Sequence, residues 1–216
     1  QTFVSRLSEK ENKNLSETGK EFMGRINNSV ERMRILIEDL LQYSRTTKTE
    51  KVFEDTNLND LLDNAKVDLA QFIEEKGAKI TSQSLPKLKV IPFQIQQLFI
   101  NLINNSLKYS KADTIPEIKI TCKKVMAEDE DMIPKSNKEK FYKITFKDNG
   151  IGFEQEYAEK IFVLFNRLHN KNEYEGTGIG LAICKKIVEN HRGFITATGK
   201  PNAGSTFIIY LPEDTK

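Results

Sequence analysis

Asn101-Leu102-Ile103-Asn104-Asn105-Ser106-Leu107-Lys108-Tyr109 is the stretch whose reading decides the fold. Leu98, Phe99, Leu102, Ile103 and Leu107 recur at helical spacing and define one buried stripe. Asn101, Asn105 and Lys108, spaced four and three apart, share a second, polar face. Asparagine is a poor helix former because its side chain competes for backbone hydrogen bonds. Three asparagines within five residues therefore need a reason other than helix stability. Amide oxygens one turn apart, beside an ammonium, suit a magnesium ion carrying phosphates. Taken alone, a solvated face with incidental asparagines fits as well, and the surrounding chain has to decide.

With 216 residues the chain is long enough for one large domain, or a domain with an appendage. Its 33 basic and 31 acidic residues nearly cancel, to a net charge of +2, which gives no argument for nucleic acid or an anionic membrane surface. Cys122 and Cys184 lie far apart, each inside a predicted regular element, and read as reduced thiols of a cytosolic protein. No apolar run approaches the ~18 residues that span a bilayer. The sequence opens on Gln1 in helical pattern without a Met, as expected of a piece of something longer.

Outward from the asparagine helix, the N-terminal side is helical. Phe3, Val4 and Leu7 read as the tail of one helix; Asn14 to Gly19 is a turn, with Thr18 and Glu21 placed as a capping box. Met23, Ile26, Val30, Met33, Ile37, Leu40 and Ser44 follow at spacings of three and four, an a/d seam over three heptads. A helix with that seam needs a partner. A hairpin pairing with a second copy as a four-helix bundle is the preferred solution, and a helix lying on the next domain is the alternative. Thr46 to Lys51 reads as a polar linker, so the boundary falls between residues 1–46 and 47–216.

The second domain alternates elements. Val52–Thr56 is a short strand, and Asn57 caps a helix running to about Glu75 with Gly77 beyond it. Lys79–Ser82 and Leu88–Val90 are strands, and Pro92 opens the asparagine helix. Ile115–Val125 and Phe141–Lys147 alternate as half-buried strands around a solvated loop, Met126–Lys140. Two strands near Gly193–Thr198 and Ser205–Leu211 close the chain. The expected architecture is α+β, a two-layer sandwich of a mixed, mostly antiparallel sheet with helices on one face.

Three further segments carry chemistry. Asp148-Asn149-Gly150-Ile151-Gly152 follows a strand; it is either a plain turn or an acidic side chain placed to accept from an exocyclic amine, with glycines allowing close backbone approach. Ile161-Phe162-Val163-Leu164-Phe165-Asn166-Arg167 ends in an arginine, a surface residue or a phosphate contact. Gly176-Thr177-Gly178-Ile179-Gly180-Leu181 opens a helix, where free N–H groups and the helix dipole favour an anion. Neither a dinucleotide fingerprint nor a Walker loop fits its spacing.

In this order the four segments resemble the N box, first glycine box, F box and second glycine box of the sensor histidine kinases. These kinases share a superfamily with gyrase, a heat-shock chaperone and the mismatch-repair ATPases. Gly204-Ser205-Thr206-Phe207 and Leu211-Pro212 resemble the family's last hairpin, so the likeness covers residues 50–213. The heptad helix resembles the second helix of the family's dimerisation and phosphoacceptor hairpin, and residues 1–13 its first.

The resemblance implies ATP and Mg²⁺ as cofactors, a homodimer through the hairpin, and a response regulator receiver domain as partner. It also implies a cytoplasmic location, with no nucleic acid and no direct membrane contact. Asn105 would ligate Mg²⁺, Asn101 would support phosphate and metal, and Lys108 would neutralise phosphate. Tyr109 would pack beside the nucleoside, and Asp148 would accept the adenine amino group. Gly150 and Gly152 would close on the base. Gly176, Thr177, Gly178, Gly180 and Leu181 would form the lid hinge and phosphate cradle. Arg167 would reach the terminal phosphates and Thr206 would join the adenine contact. The superfamily's ATPases carry a Glu where this sequence has Asn101; an amide cannot take a proton from water, which favours phosphoryl transfer over hydrolysis. Neither His169 nor His191 is followed by an acidic residue as the family's acceptor is, so the acceptor is expected upstream of Gln1 or not at all. A silent nucleotide-binding module and an anti-sigma-type serine kinase are the other readings.

Overall fold

The computed structural model describes residues 6, 7, 10, 14–48, 52–134, 139–168 and 176–214. The first arm of the expected hairpin falls mostly outside them. The first long helix, α1, spans Glu17–Lys48. Ser16 starts it: its Oγ accepts the Gly19 N–H at 3.1 Å, so Thr18 lies within the first turn and is not the cap. Exposed pairs such as Arg25 with Glu21, four residues apart, support the helix from its polar side. The helix also runs into the expected linker. It continues to Lys48, and Thr46 is only 1% exposed, because the end of α1 is seated on the following domain.

Of the two solutions considered for the heptad helix, packing on the next domain is the one seen in α1, and it uses residues beside the seam. Leu36 and Tyr43 pack against the main core. Ile26, Met33, Ile37 and Leu40, all seam positions, remain exposed. One side of the helix is thus used within the chain and the seam is left open.

Two short strands, β1 (Glu54–Asn57) and β3 (Lys87–Val90), pair antiparallel. Between them lie α2 (Leu58–Asp68), α3 (Ala70–Glu75) and β2 (Lys79–Ser82). Asn57 caps α2 by accepting the Asn59 N–H at 3.1 Å. The expected single helix is broken at Leu69, yet Leu69, Phe72 and Ile73 still reach the core. The asparagine helix, α4 (Pro92–Lys108), follows; β4 (Glu117–Met126), β5 (Lys140–Asp148), α5 (Gly180–Asn190), β6 (Phe194–Lys200) and β7 (Gly204–Pro212) complete the chain.

The main sheet has the order β2-β4-β5-β7-β6, parallel only between β2 and β4. Alternation sends Ile120, Ile144, Phe146, Ala197, Phe207 and Ile209 to one face, where they meet Leu62, Phe99, Leu102, Ile103 and Ile187 of the helices. Phe99 and Phe146 lie 5.6 Å apart between ring centroids, at the join of α4 and the sheet. Each such fully buried side chain contributes about 1.5–3 kcal/mol. The helices therefore cover one face only, as the sequence pattern requires.

On the other face, Ala127 and Ile133 fold back onto Phe141 and Tyr210 to make a second small core. Met126–Lys140 is thus not simply a solvated loop. Glu130 anchors it, accepting from Lys143 Nζ and from the Tyr210 hydroxyl, each at 2.7 Å. Burial pushes the Glu130 carboxyl up, but these two donors hold it below its ordinary range.

His191 ties the helices together. Its Nε2 accepts the Ile91 N–H at 2.9 Å, and its Nδ1 donates to the Ile187 carbonyl at 2.7 Å. Those partners require the neutral ring, so His191 is not the cation at a helix end that its position favours. It is 1% exposed, and it clamps the start of α4 to the end of α5. Replacing it strands the buried Ile91 N–H, while the Ile187 carbonyl keeps the His191 backbone N–H at 3.2 Å. His191→Ala should cost about 2–4 kcal/mol, seen as a lower denaturant midpoint at unchanged slope in equilibrium unfolding.

Candidate functional site

The polar face of α4 looks into a cavity of about 410 Å³. Its walls come from α4, the end of β5, residues 161–168 and the glycine loop before α5. A larger, shallower cavity of about 1180 Å³ adjoins it and shares Lys108, Gly152 and Phe153. The smaller one holds the chemistry.

Asp148 ends β5 and is 7% exposed. Its Oδ1 accepts the N–H groups of Gly150 and Ser205, each at 2.9 Å. Its Oδ2 lies 3.5 Å from the Ser106 hydroxyl, which is itself 3.1 Å from the Leu102 carbonyl. Burial pushes the Asp148 carboxyl above its ordinary range, against the pull of these three donors. The result is a desolvated acceptor with one oxygen committed to backbone and the other facing the Ser106 hydroxyl.

Backbone closeness explains the glycines around it. A Cβ on Gly150 would stand 2.4 Å from the Tyr109 carbonyl, and one on Gly152, at φ +65°, would stand 2.0 Å from the Lys200 carbonyl. The Ile151 N–H donates to the Tyr109 carbonyl at 2.9 Å, joining this loop to the end of α4.

Beside the glycine loop, Lys108 Nζ donates to the Tyr109 hydroxyl at 2.9 Å and lies 4.4 Å from that ring's centre. The same ammonium stands against Gly176, whose φ of +142° favours glycine there. Arg167 Nη1 donates to the Gly176 carbonyl at 2.7 Å, so the arginine braces the loop. Asn101 reaches across to α5: its Nδ2 donates to the Gly180 carbonyl at 3.2 Å, and its Oδ1 accepts from Gln97 at 3.0 Å. A lysine, an arginine and a glycine loop opening an eleven-residue helix converge at one end of the cavity, a setting for anionic oxygens.

Twelve of the residues expected at the site line this cavity: Asn101, Asn105, Lys108, Tyr109, Asp148, Gly152, Arg167, Gly176, Thr177, Gly178, Gly180 and Leu181. Gly150 sits behind the turn and shapes it from below. Thr206 is a correction. It pairs with Lys147 on the outward face of β7, whereas its neighbour Ser205 lines the cavity and holds Asp148. Strand alternation carries that signal, since an inward Phe207 requires an inward Ser205. Of the two F-box phenylalanines, Phe162 is core while Phe165 is 60% exposed at φ +62°. The polar stretch His169 to Glu175, ahead of the expected lid hinge, lies outside the described residues. Sequence reasoning misses Ser106, Phe153, Ile161 and Leu168, and also Ile35 and Asp39 of α1, all of which line the cavity or hold its residues.

Fold and cavity define the class: a two-layer α+β domain with a cavity on the helical side of a mixed sheet. Residues 91–215 match the family model described as Histidine kinase-, DNA gyrase B-, and HSP90-like ATPase, and the chain belongs to that family. The phytochrome-like protein Cph1 of Synechocystis sp. is 36% identical over 210 residues, which are 97% of this chain and 26% of Cph1. The chain thus spans about a quarter of that relative's length. Full-length ShkA in complex with AMPPNP superposes with a TM-score of 0.68 at 19% identity, over 95% of this chain and 41% of ShkA. The histidine kinase ThkA in complex with the response regulator protein TrrA does so with a TM-score of 0.65 at 23% identity, over 99% and 57% respectively.

The glycine turn gives a direct test of the site's construction by backbone closeness. Gly152→Ala must relieve both a positive φ and a collision with the Lys200 carbonyl. It should lose about 2 kcal/mol or more of stability in denaturant unfolding. Gly24→Ala, where a Cβ meets nothing within 4 Å, should be neutral or stabilising.

Proposed function

We propose that this chain is the kinase core of a sensor histidine kinase. It binds Mg-ATP in the cavity under α4 and passes the γ-phosphoryl group to a histidine, for relay to an aspartate of a response regulator receiver domain. In the transfer, the bond from the γ-phosphorus to the bridging oxygen breaks, a phosphorus–nitrogen bond forms to the imidazole, and ADP leaves. The carrying observation is the buried Asp148 carboxylate in a cavity that also gathers Lys108, Arg167 and the glycine loop. An acceptor for an amine's hydrogen bond, in the same cavity as a cationic cradle, matches adenine on one group and phosphates on the other.

Each residue then has a task. Asp148, oriented by Gly150 and Ser205, accepts the adenine amino group and disfavours guanine, which presents a carbonyl there. Asn105 would hold Mg²⁺ through its amide oxygen, a hard ligand suited to that ion, with Asn101 one turn earlier in support. Held there, the ion would supply positive charge against the phosphates. Lys108 and the N–H groups before α5 take the remaining phosphate charge, and Arg167 holds the loop in place. At Asn101 there is an amide and no carboxylate to serve as a base for water, which supports transfer over hydrolysis. His191 is buried with both ring nitrogens hydrogen-bonded, so the acceptor is a different histidine.

Residues 1–46 serve as the dimerising hairpin, with the exposed heptad seam of α1 as the contact, and 47–216 as the catalytic domain. Among the described residues no helix is long and apolar enough to cross a membrane, and the proposed kinase core works in the cytoplasm.

Titration calorimetry should show Mg-ADP binding by the wild-type chain; no binding overturns the assignment. Asp148→Asn keeps an oxygen for Gly150 and Ser205 but turns an amide N–H₂ toward the adenine amine. It should weaken ADP roughly 10–100-fold, the scale of one hydrogen bond to a charged group. Unchanged affinity would remove Asp148 from the site.

A further inference from the structure

The nucleotide cavity has a wall that no part of the catalytic domain supplies. Ile35 and Asp39 of α1 line it beside Thr177 and Gly178. The Thr177 hydroxyl donates to Asp39 Oδ2, while its oxygen receives the Ile179 N–H at 3.4 Å. Thr177 stands between two glycines directly ahead of α5, in the loop that would cradle phosphates. Asp39 therefore touches the loop on which the proposed chemistry depends.

The second anchor of α1 lies seven residues further on. The buried Thr46 carbonyl accepts from Asn190 Nδ2 at 2.8 Å and from Gln94 Nε2 at 3.5 Å. Asn190 ends α5 and Gln94 begins α4, so this anchor holds the foot of α1 to both helices. The two contacts differ in kind. Thr46 is an uncharged, buried, shared acceptor, whereas Asp39 places a carboxylate at the phosphate end of the cavity. Among the described residues no lysine or arginine forms an ion pair with it; its neighbours are Thr177 and the like-charged Glu38.

We propose that Asp39 is an electrostatic latch: it holds α1 against the glycine loop, and its charge opposes the polyphosphate of an incoming nucleotide. Seating the β- and γ-phosphates beside Asp39 brings like charges together in a half-desolvated setting, so nucleotide binding loosens the upper part of α1 while Thr46 keeps its foot in place. Coupling of this kind is reciprocal: a docked α1 weakens the nucleotide by the factor by which the nucleotide weakens docking. The inference rests on the nucleotide reading and adds to it a charge-dependent link between the phosphate site and the helix that carries the heptad seam.

The test is a calorimetric series with adenosine, ADP and the non-hydrolysable analogue AMPPNP, on wild type and Asp39→Asn, with and without Mg²⁺. The amide introduced by Asp39→Asn keeps an oxygen for the Thr177 hydroxyl and loses only the charge. The expected result is equal adenosine affinity, a roughly 3-fold gain for ADP and a larger gain for AMPPNP, greatest without Mg²⁺. Hydrogen exchange over residues 33–44 should quicken on ADP binding in wild type and much less in Asp39→Asn. A gain independent of phosphate number overturns the latch and leaves the nucleotide reading standing. Weaker Mg-ADP binding by Asp39→Asn also overturns it, and would make Asp39 a metal-supporting ligand. If wild type binds neither ADP nor AMPPNP, both inferences fall together.

Discussion

The structure depends on the burial of one carboxylate. Asp148 gathers three separate segments: its own glycine turn, the start of β7 through Ser205, and α4 through Ser106. A carboxylate taken out of water is costly unless donors surround it. Here the donors are mostly backbone N–H groups fixed by strand register and by a turn that tolerates no side chain at Gly150 or Gly152. Loosening the turn, shifting β7 by one residue or tilting α4 would each leave the charge unsatisfied. The site's geometry and the integrity of this corner of the fold are one constraint.

Two demands meet on α4, and that division explains its unusual composition. Its apolar face, through Leu98, Phe99, Leu102 and Ile103, is fully buried against the sheet and neighbouring helices. That burial supplies the stability which permits asparagines on the other face. Gln97, Asn101 and Gly180 make a short polar bridge from α4 to the foot of the glycine loop. His191 makes a second bridge at the far end of the same helices. Between these two clamps the cavity is framed by elements that cannot shift independently.

The N-terminal helix is where integration goes furthest beyond a bundle arm and a linker. Thr46 is a buried acceptor shared by Asn190 and Gln94, and Leu36 and Tyr43 pack on the core. Meanwhile the heptad positions Ile26, Met33, Ile37 and Leu40 face outward. One helix thus keeps an exposed seam on one side while Ile35 and Asp39 on its other side reach the cavity, an arrangement that suits the proposed dimer contact and the proposed nucleotide site.

Local pattern by itself determined the strands, the capped helices, the two-layer class and the positions of Asn101, Asn105, Lys108 and Asp148, because these follow from spacing along one element. The four ordered motifs determined the family for the same reason. The exchange of Thr206 for Ser205 was also legible, given the period of a strand. Other features had no local signal. Thr46 reads as linker until Asn190 and Gln94, from elsewhere in the chain, enclose it. His191 reads as a cation at a helix end until the Ile91 N–H demands its lone pair. Asp39 is one acidic residue among many on an exposed helix until the fold brings Thr177 to it. Hydrogen-bond partners distant in sequence decide whether a polar side chain is surface, clamp or site, and only tertiary structure supplies them.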